Sequence, residues 1–331
     1  MFYNLYLNAY EIDTNFFVNA FIVPIGIFTN LISIKIFSKR SLNCKTKIGY
    51  YHLALCVFNL LPLLNSIFLT QLLPFFNIKL VEYSNFACKF FSFWNKFSID
   101  GCSFQQVLIT ILLFLSVKFP IRFVLLQNRI CSVILQSSIV LLSLLVNIPF
   151  WFYELKSEND LVNETNQTNI SICYASINLG SISILSNIFI RYIIPLFLIT
   201  IFNFLILYHF YLGKRLGLAK KLKKPRNFLL SMYVINFLFF IFHLPWCISY
   251  IMVVYLNYYT INIKDSNYGL VYFYNISLAI AYLNNTSTFF VHVIFNKLFR
   301  KEFLCTFRLR KLAHVATQTT LQVRTKITNW Y

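Results

Sequence analysis

Seven stretches of this chain are apolar over a length that spans bilayer hydrocarbon as a helix, which takes roughly 20 residues. They run Phe16–Phe37, Ile48–Leu73, Phe86–Val117, Ile130–Phe152, Ser181–Leu212, Asn227–Leu256 and Gly269–Phe295. Backbone inside lipid must satisfy its own hydrogen bonds, so only helices and closed barrels can cross. The Phe and Leu residues recur without the strict alternation of a barrel strand, which leaves helices. Composition agrees. Of 331 residues, 58% are hydrophobic and 12% charged, whereas a soluble domain is about one quarter charged. So few charges cannot cover a soluble fold of this size, and so much apolar surface excludes a disordered chain. Seven glycines exclude collagen-like structure. The expected fold is an all-α membrane protein, a seven-transmembrane helix bundle with a short amphipathic helix after the seventh. The expected parts are an outer N-terminus over 1–15, the bundle over 16–295, an inner-surface amphipathic helix over 296–312 and a cytoplasmic tail over 313–331.

Orientation follows from the basic residues, which favour cytoplasmic loops. With the N-terminus outside, the inner segments Lys35–Lys47, Lys118–Arg129, Lys214–Arg226 and Lys297–Lys326 carry five, three, seven and eight Lys and Arg. Together they hold 23 of the 29, opposed only by Glu302. Eight of the ten acids, Glu11, Asp13, Glu82, Glu154, Glu158, Asp160, Glu164 and Asp265, fall outside. This distribution accounts for the net charge of +19: the basic loops face anionic inner-leaflet lipid and a cytosolic partner, not nucleic acid. Met1 to Asn15 holds Glu11 and Asp13 and no basic region, so the first apolar segment is expected to serve as its own insertion signal. The expected location is the plasma membrane, multi-pass, with the N-terminus extracellular.

Three N-glycosylation acceptor patterns, at Asn163, Asn166 and Asn169, fall within nine residues of a loop already assigned to the outside. Matches at Asn275, Asn284 and Asn285 lie in the seventh helix, where glycosylation is not expected. Cys88, at the outer end of the third segment, and Cys173, in the outer loop, both face the oxidising side, so a disulfide is permitted. It would pin that loop over the bundle. Cys44, Cys56, Cys102, Cys131, Cys247 and Cys305 lie in the membrane or inside and read as small packing residues. Cys305 follows the last span among basic residues and is a candidate for S-acylation.

Several motifs resemble those of rhodopsin-like (class A) G protein-coupled receptors, over about Phe16 to Phe303. Gly26-Ile-Phe-Thr-Asn30 is similar to the family's helix-one motif. Asn59, in Leu53-Ala-Leu-Cys-Val-Phe-Asn59, stands where the family usually has an aspartate. Counting from Cys88 places the Asp/Glu-Arg-Tyr position at Leu112-Leu113-Phe114, and Phe119-Pro120-Ile-Arg-Phe123 resembles the segment that follows. Pro195, Phe239 and Pro245 match the prolines of helices five and six and the phenylalanine of helix six. His243 replaces a tryptophan. The stretch Ala281–Phe303 resembles helix seven and the helix after it, with Thr288-Phe-Phe-Val-His292 in place of Asn-Pro-x-x-Tyr and Asn284 one turn before. The resemblance implies a Cys88–Cys173 disulfide, an extracellular ligand and a heterotrimeric G protein as partner. It also implies an altered switch. The family's interface arginine is Leu113, its helix-two carboxylate is Asn59, and its helix-five tyrosine is Asn203.

Ionisable residues within a span are costly and usually serve a purpose. Asp100 lies about three turns into the third helix and Arg191 just before Pro195, at similar depth in the family's packing. A pair between them, or a ligand bridging them, is expected. Lys96 is one turn above Asp100. The candidate ligand residues are Asn95, Lys96, Asp100, Arg191, His243, Trp246, Tyr250 and Tyr282. Asn95 occupies the place of the amine-receptor aspartate, and no lysine lies between Lys264 and Lys297 for a retinal imine. Both ligand classes are therefore disfavoured. An acidic outer face steers a cationic peptide, while Lys96 and Arg191 favour an anionic group. A neuropeptide-like ligand meets both conditions. The alternatives are a chemosensory receptor for a small molecule, a seven-helix protein without conventional coupling and, more distantly, a transporter. No enzyme, cofactor or catalytic residue is expected. His52, His243 and His292 are the candidates for an intramembrane metal site, but they are expected at different depths without a nearby acid in the inner half. No metal is therefore expected. The Thr-rich tail from Ala313 reads as disordered, with Thr317, Thr319, Thr320, Thr325 and Thr328 open to phosphorylation.

Overall fold

The computed structural model describes residues 18–39, 49–66, 80–119, 128–157, 171–174, 186–215, 226–259 and 268–307. The acceptor sites Asn163, Asn166 and Asn169, the first 15 residues and the threonine-rich tail lie outside these segments. The described chain is almost wholly helical: α1 (Val23–Phe37), α2 (Gly49–Asn65), α3 (Asn85–Lys118), α4 (Arg129–Val146), α5 (Ile194–Arg215), α6 (Arg226–Tyr259), α7 (Tyr268–Phe295) and α8 (Lys297–Thr306). A π-helical turn, Val18–Ile22, leads into α1, and another, Asn187–Ile193, leads into α5. Among the described residues, six helices are long and apolar enough to cross a membrane, the build of a multi-pass membrane protein. α2 is described over 17 residues and packs among them.

Local chemistry sets several boundaries. Ser84 caps α3, its Oγ accepting from Ala87 N at 3.1 Å and so satisfying one of the free amides of the first turn. α3 ends at Lys118, and Phe119 leaves helical geometry because the residue before a proline is pushed out of the α region. α4 tightens into a 3-10 turn, Ile148–Phe152, at Pro149. Asn296 caps α8 through Oδ1, which accepts from Leu298 N and Phe299 N at 3.1 and 3.2 Å. This cap separates α7 from α8.

The helices close into a ring in which α1 meets α2 and α7, and α6 meets α5 and α7. α3 runs through the middle and touches α2, α4, α5 and α6. It is accordingly the most buried of the six long helices, while α4 shows most of its surface. Ile130, Val133, Ile134, Leu141 and Leu145 of α4 are exposed apolar side chains, suited to lipid rather than water. The antiparallel hairpin of β1 (Glu154–Ser157) and β2 (Ser171–Tyr174) pairs Leu155 with Cys173. It is tied to α3 by the Cys88–Cys173 disulfide, with Cα atoms 5.6 Å apart, and by Leu155 N donating to Asn85 Oδ1 at 3.2 Å. The pairing that the resemblance implied is therefore present.

With apolar side chains both inside and outside, hydrogen bonds between uncharged groups fix which helix faces which. Asn30 Nδ2 donates to Gly26 O and to Asn285 O, each at 2.8 Å, joining α1 to α7. Cys102 Sγ donates to Asn59 Oδ1 at 2.8 Å and lies 3.4 Å from Asn285 Oδ1, joining α3 to α2 and α7. Asn65 Nδ2 donates to Ser98 Oγ at 2.7 Å, and Gln105 Nε2 to Tyr51 O at 2.8 Å. Asn236 of α6 takes hydrogen bonds on Oδ1 from Gln106 Nε2 and Thr110 Oγ1 of α3, and gives one from Nδ2 to Asn203 Oδ1 of α5.

Close approach of α2 and α3 depends on Gly101. A Cβ there would meet the Phe58 ring at 2.4 Å, which no rotamer of the new residue avoids. Gly101→Ala is expected to cost about 1–3 kcal/mol by overpacking. Thermal unfolding of the purified chain checks this, and Phe58→Val added to Gly101→Ala recovers most of the loss.

Candidate ligand site

Asp100, Arg191 and Lys96 converge at the disulfide end of the bundle. Arg191 Nε donates to Asp100 Oδ1 at 2.5 Å, and Arg191 Nη2 donates to Lys96 O at 3.2 Å. The other carboxylate oxygen, Oδ2, accepts from Asn147 Nδ2 at 2.7 Å, and the same amide reaches Ser143 O at 2.8 Å. Arg191 lies in the π-helical turn ahead of Pro195, Asn147 at the C-terminal cap of α4, and Asp100 on α3. One carboxylate thus ties three helices together.

Exposure decides between the two roles open to this pair. Both side chains are 2% exposed. A buried pair costs several kcal/mol per ion to desolvate and is held only by close geometry with further hydrogen bonds. Those bonds come from Asn147 and the Lys96 carbonyl. The expected pair is therefore present as a closed tie, and the carboxylate is committed on both oxygens. Lys96, one turn nearer the disulfide, is partly exposed.

An aromatic wall stands beside this tie. Tyr192 packs on Trp246 with ring centroids 4.3 Å apart. Trp246 stacks on Tyr250 at 5.3 Å and meets Tyr274 at 6.1 Å. The indole Nε1 of Trp246 is buried without a hydrogen-bond partner among the described residues. Tyr282, which sequence reasoning grouped with these rings, instead packs against Val18, Ile22, Val23 and Leu63 near α1. Asn95 is partly exposed, and its carbonyl accepts from Ser98 Oγ at 2.8 Å. His243 stacks on Phe239 at 4.2 Å, and its Nδ1 lies 3.1 Å from Phe239 O. That places it below the aromatic wall by about one turn of α6.

The remaining sequence candidates spread along the bundle. Leu113 is buried in an apolar cluster with Ile206, Met232 and Ile235 of α5 and α6. Pro195 opens α5, and Pro245 sits within α6. Thr288 Oγ1 reaches Asn284 O at 3.5 Å, both residues being buried. Cys305 is exposed on α8. That helix is held to α1 by Lys39, which pairs with Glu302 at 3.6 Å and donates to Thr306 Oγ1 at 2.8 Å.

One expectation needs correction. His52 and His292 do not lie at different depths; their ring centroids are 4.9 Å apart. His52 is three residues into α2 and His292 three residues from the end of α7. The two helices pack in opposite directions, so both rings come to one level, stacked with Phe37 and Phe299. His243 is elsewhere, and among the described residues no three His, Cys, Asp or Glu side chains converge as metal ligands.

Sequence reasoning missed Asn147, Tyr192, Tyr274 and the Asn236 hub. Asn147 and Asn236 carried a readable signal, being polar amides within apolar spans. The tyrosines carried none, because 21 of them are spread along the chain. No protein-family model matches the chain, and no match was found among curated proteins.

Proposed function

We propose that this chain is a divergent rhodopsin-like G protein-coupled receptor of the plasma membrane, taking an extracellular ligand of neuropeptide type and signalling to a heterotrimeric G protein. In this reading α2 is a seventh span, the disulfide end faces outward, the 158–170 loop is glycosylated and α8 lies along the inner leaflet. The observation that carries the reading is the hairpin pinned by Cys88–Cys173 beside a partly exposed Lys96 and the Tyr192–Trp246–Tyr250 wall. A ligand site of this kind combines aromatic lining with a few convergent polar groups. The tight apolar seat of Leu113 favours an inner surface that engages its partner without an inserted arginine.

The test is a calcium readout in cells expressing the chain with a promiscuous G protein, challenged with a peptide library. A dose-dependent response is expected, and Tyr250→Ala should weaken it at least tenfold while leaving surface expression unchanged. Silence toward peptides with a response to small molecules moves the reading to a chemosensory receptor. That second reading rests on the same aromatic wall.

A further inference from the structure

The charges inside the bundle do not balance. Four acids lie in the described segments: Glu82, Asp100, Glu154 and Glu302. Glu302 pairs with Lys39 near the opposite end, while Glu82 and Glu154 belong to the turn before α3 and to β1. Only Asp100 lies within a span beside Lys96. Its Oδ1 is taken by Arg191 and its Oδ2 by Asn147. Lys96 sits against this tie, its carbonyl accepting from Arg191 Nη2 at 3.2 Å, while the one carboxylate of the described spans is already committed on both oxygens. Among the described residues the Lys96 ammonium has no carboxylate and no hydrogen-bond partner.

We propose that Lys96 is an anion anchor whose ammonium takes the carboxylate of a ligand entering from the disulfide end. Two features point to a carboxylate. A single ammonium, with Arg191 held away by Asp100, matches one negative charge better than the two of a phosphate monoester. Lys96 as a residue is partly exposed whereas Arg191 and Asp100 are 2% exposed, so an anion from the disulfide end meets Lys96 before the buried tie. The carboxylate has two sources, a peptide with a free C-terminus or a small organic acid. The peptide source rests on the receptor reading, whereas the anion site itself does not.

Two arms test the two parts separately. In the first, the purified full chain is titrated with sodium benzoate and, as a neutral isostere, benzamide. Benzoate at a hundredfold excess over its Kd is expected to raise Tm by about 4 °C. Lys96→Gln should abolish the rise and Lys96→Arg retain it. Because the Lys96 side chain has no partner among the described residues, Lys96→Gln should match the wild-type Tm without benzoate. No benzoate shift, an equal shift with benzamide or an unchanged shift in Lys96→Gln overturns the anchor. In the second arm, cells expressing the chain are challenged with matched peptide libraries ending in a free acid or an amide. Responses confined to free acids and weakened about thirtyfold by Lys96→Gln support a peptide carboxylate. Equal potency of amides overturns it. If benzoate binds through Lys96 and no peptide acts, the anchor stands, the small-acid source is supported and the peptide reading fails.

Discussion

Arg191→Ala is expected to remove most of the protein from the cell surface, through loss of the fold. The substitution leaves the buried Asp100 carboxyl without its ion-pair partner, its Oδ2 still held by Asn147. Breaking one side of a buried pair costs about 3–5 kcal/mol, a large part of the roughly 5–15 kcal/mol that holds a domain folded. Asp100→Asn in the Arg191→Ala background removes the orphaned charge and keeps an acceptor for Asn147. It should recover more than half of the loss. The cycle of single and double substitutions, read as surface expression and as Tm in detergent, measures the coupling directly. Equal expression of Arg191→Ala and wild type would show that the tie contributes nothing. Failure of the Arg191→Ala chain to signal is informative only after this cycle, because loss of fold and loss of ligand give the same silence.

The second large effect is expected at Asn236. Asn236→Leu is close in size and removes three hydrogen bonds at once, from Gln106, Thr110 and to Asn203. Thr110 keeps a bond to Gln106 O at 2.8 Å, so it loses little. Gln106 Nε2, buried and 3.0 Å from Asn236 Oδ1, is left without that acceptor, and Asn203 Oδ1 without that donor. Each orphaned group costs about 1–3 kcal/mol, so about 2–6 kcal/mol is lost in all. Gln106→Leu added to Asn236→Leu removes the larger orphan and should raise Tm above that of Asn236→Leu alone. Failure of the double variant to recover would place the cost in packing instead. Since α3, α5 and α6 meet at this amide, the loss should appear as proteolytic sensitivity near α5 and α6 before global unfolding.

Much of the architecture was legible because it depends on quantities that add along the chain. Segment length against bilayer thickness marked α3 and α6 to within a few residues, read as Phe86–Val117 and Asn227–Leu256 and observed as Asn85–Lys118 and Arg226–Tyr259. Prolines marked ends as well, with Phe119 leaving the helix before Pro120 and the 3-10 turn forming at Pro149. The Asp100–Arg191 pair was legible for a different reason. Few ionisable groups lie within spans, and an unpaired one is too costly to leave unmatched, so the number of possible partners was small.

The uncharged network was not legible in this way. Asn, Gln, Ser, Thr and Cys are numerous within the spans, and helical periodicity assigns each to a face without saying which neighbour that face meets. Rotation of α7 by one residue would turn Asn285 away from Asn30. His52 and His292 were misread because depth was judged along the sequence, whereas antiparallel packing brings residues near opposite helix ends to one level. The same freedom of rotation decides that α7 turns Tyr282 toward Leu63 and gives Tyr274 to the aromatic wall. The sequence by itself determined that the chain is a set of long apolar helices with a basic end, and that charges inside them must pair. Only the tertiary structure decided that the two oxygens of Asp100 go to Arg191 and Asn147, so that Lys96 has no carboxylate among the described residues. The choice among equivalent hydrogen-bond partners depends on the relative rotation of packed helices, which no local pattern encodes.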